Sequence, residues 1–198
     1  MRKNILDEYQ MTNKLMGEYL PVIEESVYDF MEDDEKKHFD SLPDRITLYR
    51  GCSIDEAYGS SEYIGQSWTD DIDIAKFFAY EHHTAALGGS KFDNAKILIA
   101  DDGRIVPVAG RCVISRTFNK NEILGYVNSR EEREYICDIS YEKVIKETSQ
   151  YYDEDELEDI ETQDLFSDYG IEIEDTFKIT DEFKKECIEK YSEFLATK

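Results

Sequence analysis

The run Arg130-Glu131-Glu132-Arg133-Glu134-Tyr135-Ile136 carries the chain from a crowd of charges into an apolar segment that continues through Cys137-Asp138-Ile139. Tyr and Ile in a short run bounded by polar residues read as a strand. Side chains alternate across a strand, so one that begins at Glu132 sends Glu132 and Glu134 to one face and Arg133 to the other. Two carboxylates sharing a face at a strand entrance are either a solvated edge or a site that stabilises positive charge. Taken alone they read as the edge, so the deciding residues must lie elsewhere in the chain.

Two upstream stretches supply candidates. Ile46-Thr47-Leu48-Tyr49-Arg50-Gly51 alternates as a short strand ending at a glycine. Its phase sets Ile46, Leu48 and Arg50 on one face, placing an arginine where an apolar residue belongs; it either snorkels out at the strand end or marks a functional site. Gly65-Gln66-Ser67-Trp68-Thr69 is a second short strand and holds the single tryptophan. Thr69 or Asp70 can cap the helix expected over Asp71–His83, where Ile72, Ala75, Phe78 and Ala79 form one apolar stripe that reads as core.

Around these, the apolar spacing predicts helices over Ile5–Leu20 and through Ile23, Val27, Phe30 and Met31, separated by Pro21, with the second fraying through Glu32–Lys37. Ser41-Leu42-Pro43-Asp44 reads as a boundary. Lys96–Ala100 and Arg104–Val108 flank an Asp101-Asp102-Gly103 turn, with Pro107 restricting the second run to an edge or a strand end. Arg111–Ser115 continues the β character, and Asn119–Tyr126 reads as a turn and strand. The fold class is α+β, with a mostly β middle and helices before it.

The chain has 198 residues, enough for one domain with a core, and is 40% hydrophobic and 13% aromatic. Its net charge of -23 and pI near 4.4 argue against general binding of nucleic acid or an anionic membrane. They leave cationic or neutral partners, or acidity that serves solubility or mimics a polyanion. No apolar run is long enough to span a membrane. Cys52, Cys112, Cys137 and Cys187 form no CxxC pattern and the N-terminus has no apolar signal region, which fits free thiols in a cytoplasm. His82 and His83 lack metal-ligand spacing, and Gly88-Gly89-Ser90 is neither a GxGxxG motif nor a P-loop. Residues 151–198 carry 17 Asp and Glu against 5 Lys, and no Lys or Arg falls between Tyr151 and Asp175. Such a segment is solvated or partly disordered, yet Leu157, Ile160, Leu165, Phe166, Ile171, Ile173 and Phe177 offer anchors for partial docking, and Asp181–Leu195 reads as an amphipathic helix.

The order Leu48-Tyr49-Arg50-Gly51, Ser67-Trp68-Thr69 opening a helix, then Glu132-Arg133-Glu134 resembles the arginine, Ser-Thr-Ser and Glu-x-Glu arrangement of the mono-ADP-ribosyltransferases, in the branch shared by binary-toxin and arginine-modifying enzymes. Ser-Trp-Thr followed by Asp70, Ala75 and Phe78-Ala79 is similar to members from bacterial and phage genomes. The resemblance covers Leu48 to Ile139 and implies an ADP-ribosyltransferase-like core of two packed, mainly antiparallel sheets over residues 43–145. A helical segment would precede it over 1–42, and the acidic extension would follow over 146–198. It implies NAD as substrate, no metal, and a protein acceptor modified on arginine by a toxin-like effector acting in the cytoplasm of the producing or a host cell. Glu134 would stabilise the ribosyl cation and hold the ribose 2′-hydroxyl, Glu132 would engage the incoming arginine, Arg50 would pair with the diphosphate and Ser67 would brace the site. Tyr49, Gly51, Trp68 and Thr69 complete the cofactor-binding set, although Trp68 alternates to the opposite face and reads more as core packing than as a stacking platform. The competing readings are an NAD glycohydrolase, with water as acceptor, and a polyanion mimic that places its acidic 151–175 segment on a basic partner. A bland variant of the last makes that segment a solubilising tail.

Overall fold

The structure, a computed structural model, describes residues 27–60, 63–80, 95–99, 105–128, 131–153, 156, 160–176, 180–182 and 185. In chain order the strands are β1 (Arg45–Ser53), β2 (Ser67–Thr69), β3 (Ala95–Ile99), β4 (Ile105–Ala109), β5 (Arg111–Asn119), β6 (Ile123–Val127), β7 (Glu134–Cys137) and β8 (Glu172–Thr176). The helices are α1 (Val27–Phe30), α2 (Asp33–Asp40), α3 (Ile54–Ala57), α4 (Ile72–Tyr80), α5 (Tyr141–Ser149) and α6 (Thr162–Asp168). Six strands make one antiparallel sheet in the order β6-β7-β2-β1-β5-β8, and β3 and β4 pair separately, antiparallel, with Pro107 opposite Ile97. The α+β class expected from sequence is the class observed.

The centre of the sheet is the pairing of β1 with β5, which holds register from Arg45 opposite Asn119 to Ser53 opposite Arg111. Alternation gives the sheet two faces. One carries the main core: Leu48, Cys52, Trp68, Ile114, Phe118, Tyr135 and Cys137, closed by Ile139, Val144 of α5 and Phe166 of α6. On the other face α4 sets Ala75 and Ala79 against Val113, with Tyr49 beside them, while α1 sets Val27 against Val127 and Ile136. Gly51 explains how closely α4 approaches, because a Cβ there would stand 2.2 Å from the Ala75 carbonyl oxygen and 2.5 Å from the Ala79 nitrogen. Cys52, Cys112 and Cys137 are buried free thiols. No helix among the described residues is long and apolar enough to cross a membrane.

The structure departs from the sequence reading at several elements. Glu32–Lys37 does not fray; α2 runs through it, begun by a capping box in which the Glu35 Oε2 accepts from the Glu32 backbone N–H at 2.8 Å. The other Glu35 oxygen accepts from Asn128 N at 2.7 Å, so one buried carboxylate both starts the helix and ties it to the end of β6. Helix α5 was not expected: Ser140 Oγ caps it by accepting from Lys143 N, and it buries Val144 and Thr148 four residues apart. The docking expected of the acidic segment is present: Leu165 and Phe166 of α6 and Tyr169 and Ile171 in the turn after it are buried, and β8 adds to the edge of β5. The helix expected at Ile5–Leu20, most of the one at Asp181–Leu195, and the Gly88-Gly89-Ser90 loop lie outside the described residues.

Arg116 joins the acidic segment to the sheet. Its guanidinium carbon lies 4.5 Å from the centre of the Phe118 ring and 4.1 Å from that of Tyr169, Nε donates to the Tyr169 carbonyl at 3.0 Å, and Nη2 meets Glu122 Oε1 at 2.9 Å. Burial disfavours the Glu122 carboxylate, but the Asn119 backbone N–H and Arg116 outweigh it and hold its pKa below the usual carboxylate value. A depressed folded pKa means stability present above the unfolded value near 4.3 and lost as pH falls through the folded one. Replacing Glu122 by Gln is expected to cost about 1–2 kcal/mol at pH 7 in urea melts, a deficit that shrinks below about pH 4. Gly51→Ala is expected to lower the urea midpoint by an amount equivalent to about 1–3 kcal/mol, because α4 has no room to retreat.

Candidate active site

The register of the short strand β2 assembles the site. Glu134 stands opposite Thr69 on one side and Val127 on the other, Thr69 opposite Tyr49, and Tyr49 opposite Ser115. With adjacent strands about 4.8 Å apart, Glu134, Thr69, Tyr49 and Ser115 make a polar row across the sheet that ends at Val127. Ser67 stands two residues from Thr69 and shares its face, opposite Ile136. Gly51 lies on that face too, beneath α4. The strip holding Ser67, Thr69 and Glu134 is therefore bracketed by the α1 contact at Val127 and Ile136 and the α4 contact at Tyr49 and Val113. Glu134 is only 4% exposed, a carboxylate drawn into the sheet surface rather than a solvated edge.

Arg50 and Trp68 occupy the opposite face. Arg50 follows Leu48 and precedes Cys52, both in the main core, and its guanidinium neither snorkels outward nor reaches Glu134's face. Nε donates to Glu56 Oε1 at 2.8 Å and Nη1 to the Ser67 carbonyl at 2.9 Å, while the same Glu56 oxygen accepts from Gly65 N at 2.8 Å. Burial alone would lower the Arg50 pKa; the Glu56 carboxylate outweighs it and holds the guanidinium charged. Glycine at 65 makes room for this packing, since a Cβ there would fall 2.0 Å from Arg50 Nη2 and the guanidinium would have to shift. Trp68 is fully buried, donates Nε1–H to the Gly65 carbonyl at 3.0 Å and meets Phe118 edge to face at 5.0 Å between ring centres. The structure thus brings Tyr49, Gly51, Ser67, Thr69 and Glu134 to one face and turns Arg50 and Trp68 to the other.

Glu132 is placed differently from the sequence reading. Strand β7 begins at Glu134, and Glu131 (φ 62°) and Arg133 (φ 48°) are left-handed, so strand alternation does not run back through Arg133. Glu132 sits half-buried in a turn just outside the ladder. Two non-glycine residues in this region cost about 1–2 kcal/mol each, and local contacts offset that cost. Glu131 N donates to the Asn128 carbonyl and Arg133 N to Asn128 Oδ1, both at 3.1 Å. Arg133 Nη2 donates to Asp70 Oδ2 at 2.5 Å and Nη1 lies 3.7 Å from Asp71 Oδ2.

Three supporting residues went unread in the sequence. Glu56 carried a local signal, because Ser53-x-x-Glu56 is a helix-start pattern and Ser53 Oγ does accept from Glu56 N. His38 and Tyr135 carried none: His38 Nε2 meets the Tyr135 hydroxyl at 2.8 Å across 97 residues of chain, and that hydroxyl donates to Asp70 Oδ2 at 3.1 Å. Burial and then the Asp70 charge push the Tyr135 phenol well above its ordinary pKa, so it is a hydrogen-bond donor at neutral pH.

A buried carboxylate beside hydroxyl side chains on a rigid sheet suits stabilisation of a cationic centre that also offers a hydroxyl to bond. No protein-family model, curated protein or solved structure matches this chain. Because Glu56 supplies the carboxylate paired with a buried guanidinium at the junction of β1 and β2, Glu56→Ala is expected to cost about 3 kcal/mol in urea unfolding.

Proposed function

We propose that the chain is an NAD-dependent mono-ADP-ribosyltransferase that cleaves the bond between nicotinamide and ribose and transfers ADP-ribose to an arginine of a protein acceptor. The observation that carries this reading is the row of Glu134, Thr69 and Tyr49, with Ser67 on the same face. The α+β fold with its antiparallel sheet is compatible with an ADP-ribosyltransferase-like core.

In this reading the C1′–N bond breaks with its electron pair leaving on nicotinamide, which becomes neutral, while positive charge builds on the ribose. Glu134, fixed by strand pairing on both sides, stabilises that charge more in the transition state than in the ground state. Ser67 braces it, and Thr69 and Tyr49 extend the polar surface. A guanidine nitrogen of the acceptor then bonds to C1′ and gives up its proton, with Glu132 as the base that receives it. Arg50, which the resemblance pairs with the diphosphate, lies on the other face with Nε and Nη1 donating internally and Nη2 packed against Gly65, so in this reading its part is to hold β1 against β2 beneath the strip.

Incubation with NAD labelled in the adenylate half and an extract containing acceptor proteins is expected to label protein, and Glu134→Ala to reduce nicotinamide release by about a hundredfold or more. Undiminished release by that variant would refute the assignment. Nicotinamide release without labelled protein would instead favour hydrolysis with water as acceptor.

A further inference from the structure

Glu134 and Glu132 are held by different means. Glu134 is clamped between Thr69 and Val127 in the sheet. Glu132 lies outside the ladder, between two left-handed residues, so its position depends on the turn. Asn128 holds the start of that turn, through its carbonyl and its side chain. Its end is held by the Arg133 side chain, which reaches Asp70 immediately after β2. Asp70 is itself anchored: its Oδ2 accepts from Tyr135 Oη, which also meets His38 Nε2 on α2. Its Oδ1 is buried with no hydrogen-bond partner among the described residues, so Arg133 and Tyr135 supply the compensation this carboxylate receives there.

Resting on the proposed function, we infer that Arg133, clamped to Asp70, is a positioning residue that sets Glu132 for the acceptor step and so determines how the ribosyl cation partitions between a guanidine nitrogen and water. Two outcomes compete at C1′. In one, a guanidine nitrogen bonds to C1′ and its proton passes to Glu132; in the other, a water oxygen bonds to C1′ and releases its proton to solvent. Loosening Glu132 slows the first, while bond cleavage, which depends on Glu134, continues.

The test uses the full chain with NAD and agmatine as a small guanidine acceptor, reading agmatine modification and free ADP-ribose in one assay. Three variants are compared with wild type: Arg133→Gly, which keeps the positive-φ backbone available while removing the clamp; Asp70→Asn, which weakens it from the other side; and Arg133→Lys, which keeps a cation. The ratio of transfer to hydrolysis is expected to fall about tenfold in the first two and to recover in part in the third, with the KM for NAD unchanged. Total nicotinamide release should stay within about threefold of wild type in all three, and the melting temperature of the two Arg133 variants within a few degrees, since Arg133 lies on the surface. An unchanged ratio in Arg133→Gly and Asp70→Asn, measured where Glu134→Ala has abolished nicotinamide release, would overturn the clamp and leave the transferase reading intact. Release that survives Glu134→Ala would overturn both.

Discussion

Three residues, Ser67-Trp68-Thr69, join the two halves of the sheet. Among the described residues, β7 and β6 on one side and β1, β5 and β8 on the other are continuous only through β2. A strand of three residues has few ladder bonds of its own, and the surrounding groups reinforce it. Arg50 Nη1 takes the Ser67 carbonyl, Cys137 N donates to the Gln66 carbonyl, and the Trp68 ring is held through Gly65 in the main core. The buried Arg50–Glu56 pair therefore belongs to the same device as the polar strip on the other face. It fixes the register that puts Thr69 between Tyr49 and Glu134, and a slip of one residue would turn Ser67 and Thr69 inward and Trp68 outward.

This arrangement separates the work of the two faces. The core side carries the cost of burying a guanidinium and spreads it over Glu56, Ser67 and the backbone near Gly65. The other side keeps a carboxylate and hydroxyls in fixed positions between two helix contacts. Electrostatic stabilisation of a developing cation gains from groups that need not reorganise, and strand pairing on both sides of Glu134 provides that rigidity. Glu132 lies outside the ladder, on a turn with two left-handed residues, and is held by that turn rather than by strand pairing.

Much of this was legible in the sequence where it depended on short-range pattern. Alternation placed Arg50 with Leu48 and Trp68 opposite Ser67 and Thr69, and the structure has both. The exceptional arginine was visible as a break in the pattern, but its resolution was not, because the compensating Glu56 belongs to a different element. Alternation failed at Arg133, where a left-handed residue ends its reach. The capping box of α2 and the Ser140 cap of α5 were present as residues and passed over among the charges. The acidic 151–175 segment looked weakly structured by composition, yet Arg116 and a handful of apolar side chains bring part of it onto the sheet. Contacts such as His38 with Tyr135 leave no local trace at all.

The most direct measurement is a crystal structure of the Glu134→Gln variant soaked with NAD, a substitution that keeps the shape of the site while removing the charge proposed to drive bond cleavage. The nicotinamide ribose is expected on the strip of Ser67 and Thr69, with its 2′-hydroxyl against residue 134 and C1′ open toward Glu132. NAD bound on any other surface, or absent from the strip at saturating concentration, would contradict the assignment of that strip as the catalytic face.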